Sequence, residues 1–129
     1  MENQNELKSG TTVIVVGDDV AVRNSLKFWL EIEGLTVRGY ATGAELLSAG
    51  ELAHCDCLVI DENVPSSGLP LIAELRGRNF SGPAILIASH PSLSLRHEAE
   101  KVGIPIVEKP LLGNGLLDTI RNVTGNCPG

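Results

Sequence analysis

Three apolar runs in this chain end in charge. Val13-Ile14-Val15-Val16 leads through Gly17 into Asp18 and Asp19, Cys57-Leu58-Val59-Ile60 leads into Asp61, and Ile104-Pro105-Ile106-Val107 leads through Glu108 into Lys109 and Pro110. Unbroken runs of this kind read as strands buried on both faces, the pattern of a parallel sheet covered by helices. In one such sheet Asp18, Asp61 and Lys109 would meet at the carboxyl edge, where open α/β sheets place their sites. Two carboxylates brought together repel unless a cation sits between them, and hard oxygen ligands suit Mg²⁺. An ammonium beside them would balance a phosphoryl oxygen. In-line phosphoryl transfer asks for little more than such positioning and charge, with a carboxylate oxygen of Asp61 as the nucleophile and an acyl phosphate as the product. The plain alternative for an acid after a strand is a helix cap or turn former, a role open to either Asp18 or Asp19.

The elements that would position these groups alternate along the chain. A strand over about 12–16 is followed by a helix to about residue 33, with Val22, Leu26, Trp29, Leu30 and Ile32 at helical spacing and Gly34 as its stop. Residues 35–40 alternate only partially and read as a strand near a sheet edge. A short helix over 44–49 enters through Thr42-Gly43. After the strand that ends at Asp61, Pro65-Ser66-Ser67-Gly68 marks a loop, and 69–78 a helix with Pro70 in its first turn. A fourth strand covers 84–88, a helix opened by His90-Pro91-Ser92 runs to about 102, and a short strand reaches Lys109. The last helix, about 112–123, places Leu116, Leu117, Ile120 and Val123 on one face. Five strands alternating with five helices predict an α/β fold, a doubly wound parallel sheet with right-handed crossovers.

The 129 residues suffice for one domain with its own core. Ten basic against sixteen acidic residues give a net charge of −6, which argues against a nucleic-acid backbone as direct partner. The apolar runs are far shorter than a membrane span requires. Residues 1–10 are polar and read as a loose tail, as do 125–129, in a protein expected to be cytoplasmic. Cys55, Cys57 and Cys127 are an odd set, and the first two, read as lying on one strand face, are not placed to bridge without strain. His54-Cys55-Asp56-Cys57 lacks the paired spacing of a zinc site.

With an acid after the first strand, Asp61 after the third and Lys109-Pro110 after the fifth, residues 11–124 resemble the receiver domain of two-component response regulators. The resemblance implies the flavodoxin-like (βα)5 receiver fold with strand order 2-1-3-4-5, and a signalling module rather than an enzyme. It implies that Asp61 accepts a phosphoryl group from a sensor histidine kinase or a histidine phosphotransfer protein in a Mg²⁺-dependent phosphorelay. Asp18 would be a Mg²⁺ ligand, with Asp19 a weaker candidate, Asn63 would lend the metal a backbone carbonyl, and Lys109 would contact the phosphoryl group. The Lys109-Pro110 bond is expected to be cis. The family's strand-four hydroxyl falls on Ser89 by counting from Asp61, but the position falls on Ala88 by counting from Pro83. Kinase or phosphotransfer contacts would fall on 20–24 and 109–112. A homodimer would use the fourth helix, fifth strand and fifth helix, and the output would be a downstream protein target or an output domain from which this piece was cut.

Three positions depart from the family pattern. Gly17 stands where the first acid of the pair is usual, Ala88, on the count from Pro83, where the hydroxyl belongs, and Ile106 where an aromatic switch residue is usual. These departures define an alternative, a degenerate receiver that acts as a phosphorylation-independent interaction module. A flavin carrier or hydrolase on the same sheet is a more distant reading. Gly17-Asp18-Asp19 would repel a flavin phosphate, aromatics are only 3% of residues, and His90 is the only nearby base.

Overall fold

The computed structural model describes residues 11–50, 52–62, 68–78, 80–111 and 115–124. The two expected tails, residues 1–10 and 125–129, lie outside them. In chain order the elements are β1 (Thr12–Val16), α1 (Val20–Ile32), β2 (Thr36–Tyr40), α2 (Gly43–Ala49), a 3₁₀ turn (Leu52–His54), β3 (Cys57–Glu62), α3 (Gly68–Arg76), β4 (Ala84–Ala88), α4 (Leu93–Lys101), β5 (Ile106–Glu108) and α5 (Gly115–Thr124). The five strands form one sheet in the order β2-β1-β3-β4-β5, and every neighbouring pair is parallel. This is the doubly wound parallel sheet that the alternation predicts, in the flavodoxin-like strand order that the resemblance implies.

Burial explains why the strands read as they do. Every residue of β4 is buried, as is all of β3 except its last residue, so neither strand has a solvent face to mark with polar side chains. At the edge, β2 buries only Val37, hence its weak alternation. Along the central strands, side chains alternate between two apolar layers. Val13, Val15, Val59, Ile85 and Ile87 pack with Leu26 and Leu30 of α1 and Leu116, Leu117 and Ile120 of α5. Ile14, Leu58, Ile60 and Leu86 pack on the other side with Leu46 of α2, Ile72 and Leu75 of α3 and Ala99 of α4.

Local sequence sets the helix ends. Asp19 caps α1, its carboxylate accepting from the amides of Ala21 at 2.9 Å and Val22 at 3.3 Å. Thr42 caps α2 by accepting from the Glu45 amide, and Glu45 reaches back to the Ala41 amide, closely resembling a capping box. Ser92, the last residue of the opening His90-Pro91-Ser92, caps α4, and the helix starts at Leu93. The helix expected over 69–78 runs instead from Gly68 to Arg76.

Two expectations are corrected. Ile32 is not on the buried face of α1: it is 65% exposed, because at 100° per residue it lies on the far side of the helix from Leu30. Cys55 and Cys57 do not share a face. Cys57 belongs to the layer under α1 and α5 and Cys55 packs against the opposite layer, since β3 begins only at Cys57 and strand parity does not extend back to Cys55.

Candidate functional site

The site is built where β1 and β3 end side by side. Val16 is in register with Ile60, so the next pair along the two strands is Gly17 and Asp61. Asp61 is held by the ladder to β4, opposite Ile87, and its side chain is only 1% exposed. Lys109 follows β5, and its amide donates to the carbonyl of Ala88 at 3.0 Å. From there its side chain crosses the end of β4 and brings Nζ to 2.6 Å from Asp61 Oδ1. The contact is an ion pair off the hydrogen-bonding direction, and among the described residues neither carboxylate oxygen of Asp61 receives a hydrogen bond. The Lys109-Pro110 peptide is cis.

Asp61 also faces a cavity of about 440 Å³, whose wall includes Asp18, Thr42 and Glu74 beside Gly17 and apolar side chains of α2 and α3. It lies between β1 and β3, the point at which the strand order reverses and where such sheets bind their ligands. Asp18 and Asp61 therefore share one cavity, with Asp18 exposed at its rim. Asp19 is the cap of α1 and does not line it. A buried carboxylate oxygen without a donor, sharing a cavity with a second carboxylate, is a hard, anionic donor set that fits a Mg²⁺ ion. Among the described residues no three His, Cys, Asp or Glu side chains gather as a metal site, so the side-chain set is this pair. Asn63, expected to add a backbone carbonyl, lies outside the described residues.

The remaining expected positions are placed as follows. Ala88 is the buried last residue of β4 and Ser89 is exposed just beyond it. Ile106 is half-buried at the start of β5, against the layer under α2, α3 and α4. A second groove, about 520 Å³, runs between α1 and the segment after β5, lined by Ala21, Val22, Phe28 and Trp29 on one side and Lys109, Pro110 and Leu111 on the other.

Some contacts at the site were not visible in the sequence. The Arg23 guanidinium donates to the Gly17 carbonyl at 2.5 Å. Glu62 accepts from the Gly68 amide at 2.7 Å and so ties the end of β3 to the start of α3. A Cβ at Gly17 would lie 2.8 Å from Asp61 Cβ. The one available signal was a glycine ending a buried strand, a mark of close backbone approach.

The response regulator receiver domain family matches residues 13–121, most of the chain. The chain belongs to this family. Among the relatives of this receiver is the transcriptional regulatory protein FixJ of Azorhizobium caulinodans, 36% identical over 115 residues, 88% of this chain and 54% of that protein. Another is the C4-dicarboxylate transport transcriptional regulatory protein DctR of Rhodobacter capsulatus, 34% identical over 111 residues, 83% of this chain and 56% of that one. The receiver thus spans about half the length of these curated relatives. The structure of the chemotaxis protein CheY4 of Vibrio cholerae superposes with a TM-score of 0.79, covering 89% of this chain and 99% of that one; at 24% identity this likeness establishes the fold. Receiver domains are signalling modules of two-component systems. No helix among the described residues of this one is long and apolar enough to cross a membrane.

Proposed function

We propose that this receiver accepts a phosphoryl group on Asp61 from the phosphohistidine of a sensor kinase or a phosphotransfer protein, in the cytoplasm. A carboxylate oxygen of Asp61 attacks phosphorus, the P–N bond to the donor imidazole breaks, and the imidazole leaves with the electron pair. The observation that carries this reading is a buried Asp61 carboxylate, in contact with the Lys109 ammonium and open to the cavity that Asp18 also lines. Asp18 and Asp61, with the Asn63 carbonyl, would hold Mg²⁺, which when bound neutralises charge on the phosphoryl oxygens. Lys109 already balances one oxygen of Asp61 and is in place to follow the charge onto the phosphoryl group.

The same reading extends to partner and output. The donor helix docks along α1 and the segment after β5, where Phe28 is 70% exposed beside the groove that reaches Lys109. Because FixJ and DctR are named as transcriptional regulators, the output is the control of transcription through a further domain or a separate target protein, without direct nucleic-acid contact by this receiver. With Ile at 106, the response passes through backbone and loop shifts that bias two populated states. A homodimer through α4, β5 and α5 would have to accommodate charges already paired within the chain, Arg96 with Glu108 and Arg121 with Asp118.

The test is intact-protein mass after incubation with a small phosphodonor, with and without Mg²⁺, and with Asp61→Asn as control. A Mg²⁺-dependent gain of one phosphoryl group, absent from the control, supports the reading. A second reading, an interaction module that works without phosphorylation, is favoured by Gly17 at the first acid position and by the buried methyl of Ala88 at the end of β4. No mass gain under conditions that modify an ordinary receiver decides for it.

A further inference from the structure

Gly17 stands where an acid is usual, and the simplest account is a ligand lost. The geometry gives another account. A Cβ built on Gly17 lies 2.8 Å from Asp61 Cβ and 3.4 Å from its Oδ2. Both Cβ positions are one bond from the backbone, so no rotamer relieves the contact; one of the two strand ends has to move. The Gly17 peptide is fastened on both sides. Its N–H donates to the Tyr40 carbonyl at 3.0 Å, and its carbonyl accepts from Arg23 Nη1 at 2.5 Å. The Arg23 stem reaches that carbonyl by running over Gly39, where an added Cβ would make only ordinary contact, 3.5 Å from Cδ. Of the two glycines, Gly17 alone is demanded by space.

We propose that Arg23 and Gly17 form a lock in which the β1 backbone is pressed against the acceptor carboxylate, and that Arg23 is a positioning residue of the Asp61 site. The inference rests on the phosphoacceptor reading for its purpose, not for its geometry. The lock holds the wall of the cavity beside Asp61 Oδ2 in place, the wall from which the chain runs on to Asp18. In this chain the missing acid is replaced by backbone, and restoring a carboxylate at 17 does not restore a metal site. It forces the ends of β1 and β3 apart instead.

The experiment compares the full chain with Arg23→Ala, Arg23→Lys, Gly17→Ala and Gly17→Asp. Amide hydrogen exchange is read in the metal-free protein, and Mg²⁺ affinity from amide shifts in a titration. Arg23→Ala is expected to speed exchange at the Gly17 amide about tenfold, the consequence of freeing a carbonyl from a charged donor. It is expected to weaken Mg²⁺ about tenfold, as the loss of a group supporting a ligand does. Arg23→Lys should recover most of both, and Gly17→Asp should bind Mg²⁺ more weakly than the parent. Should Gly17→Asp fail to fold, Gly17→Ala decides the same point, because it adds no charge and removes no ligand yet is expected to lose Mg²⁺ affinity. Tighter Mg²⁺ binding by Gly17→Asp, or parental exchange and affinity in Arg23→Ala, overturns the lock. A parent protein that never gains a phosphoryl group counts against the proposed function alone, since the exchange comparison needs neither metal nor phosphate.

Discussion

Lys109 Nζ and Asp61 Oδ1 lie 2.6 Å apart although their strands are not neighbours: the lysine reaches from β5 across the end of β4 to a carboxylate on β3. The two ends of the pair differ in wetness. The Asp61 side chain is 1% exposed and the Lys109 side chain 22%. The anion therefore depends on the cation more than the reverse, because a partly solvated ammonium loses little when left alone and a buried carboxylate loses much.

That asymmetry sets the first prediction. Lys109→Ala leaves Asp61 charged, buried and unpaired, and is expected to cost about 2 kcal/mol of folding stability, below the range for a fully dry pair because water reaches the lysine end. Asp61→Asn combined with Lys109→Ala removes the uncompensated charge and should recover most of that loss. Urea denaturation of the single and double variants reads both. A double variant as unstable as Lys109→Ala would mean that the lysine acts through its packing.

The neighbouring acids after β1 separate by experiment in the same way. Asp19 spends its carboxylate on the first amides of α1, so Asp19→Ala should lower stability by about 1 kcal/mol and leave Mg²⁺ affinity unchanged. Asp18→Asn should weaken Mg²⁺ about tenfold or more, the loss of a directly binding charge. Isothermal titration of the two variants, paired with their thermal melts, tests the division. A large loss of Mg²⁺ binding in Asp19→Ala would assign the cap residue to the metal.

Much of this arrangement was legible in the chain because it is local. Unbroken apolar runs mark β1, β3 and β4, and Gly34, at positive φ, follows α1 in the way the sequence suggests. Strict alternation predicted the parallel sheet with right-handed crossovers, while the order of its strands came from the resemblance to receiver domains. What could not be read depends on distances across the sheet. Gly17 meets Asp61 only because β1 and β3 stand in one particular register, and Arg23 finds the Gly17 carbonyl only once α1 is docked. Ile32 was misplaced for a simpler reason: it is apolar and close in sequence to Leu30, but two residues on it stands on the opposite face of the helix.

A third prediction concerns pH. Burial, with lesser repulsion from Cys55 and Asp56, pushes the Cys57 thiol from its ordinary 9.0 up to about 12. The folded protein keeps this thiol protonated where the unfolded chain has already lost the proton. Its contribution is fully present below pH 9.0 and is lost as pH rises toward 12. The expected slope is a fall in stability of at most about 1.4 kcal/mol per pH unit across that window. Urea melts of the parent and Cys57→Ala between neutral and alkaline pH test this, the variant showing the shallower fall. Alkylation at mildly alkaline pH, mapped by peptide mass, should spare Cys57 until the protein unfolds.

The last prediction uses the single tryptophan as a reporter of Lys109. Trp29 and Lys109 line the same groove, and Pro110 and Leu111 complete the wall facing α1. On the proposed function, a phosphoryl group on Asp61 would add negative charge beside the ammonium, Lys109 would shift its contact from the carboxylate oxygen toward the phosphoryl oxygens, and the segment that follows would move with it. Packing in the groove would change as a result, and the emission of the half-buried Trp29 indole with it. Addition of a small phosphodonor with Mg²⁺ should therefore change the intrinsic fluorescence with the same time course as the mass gain. Asp61→Asn should show no change at all. Lys109→Met, which keeps the side-chain length but not the charge, should separate the two signals: any phosphoryl group it gains would leave Trp29 emission constant. A full fluorescence change in that variant would place the link between site and groove in the backbone rather than in the lysine.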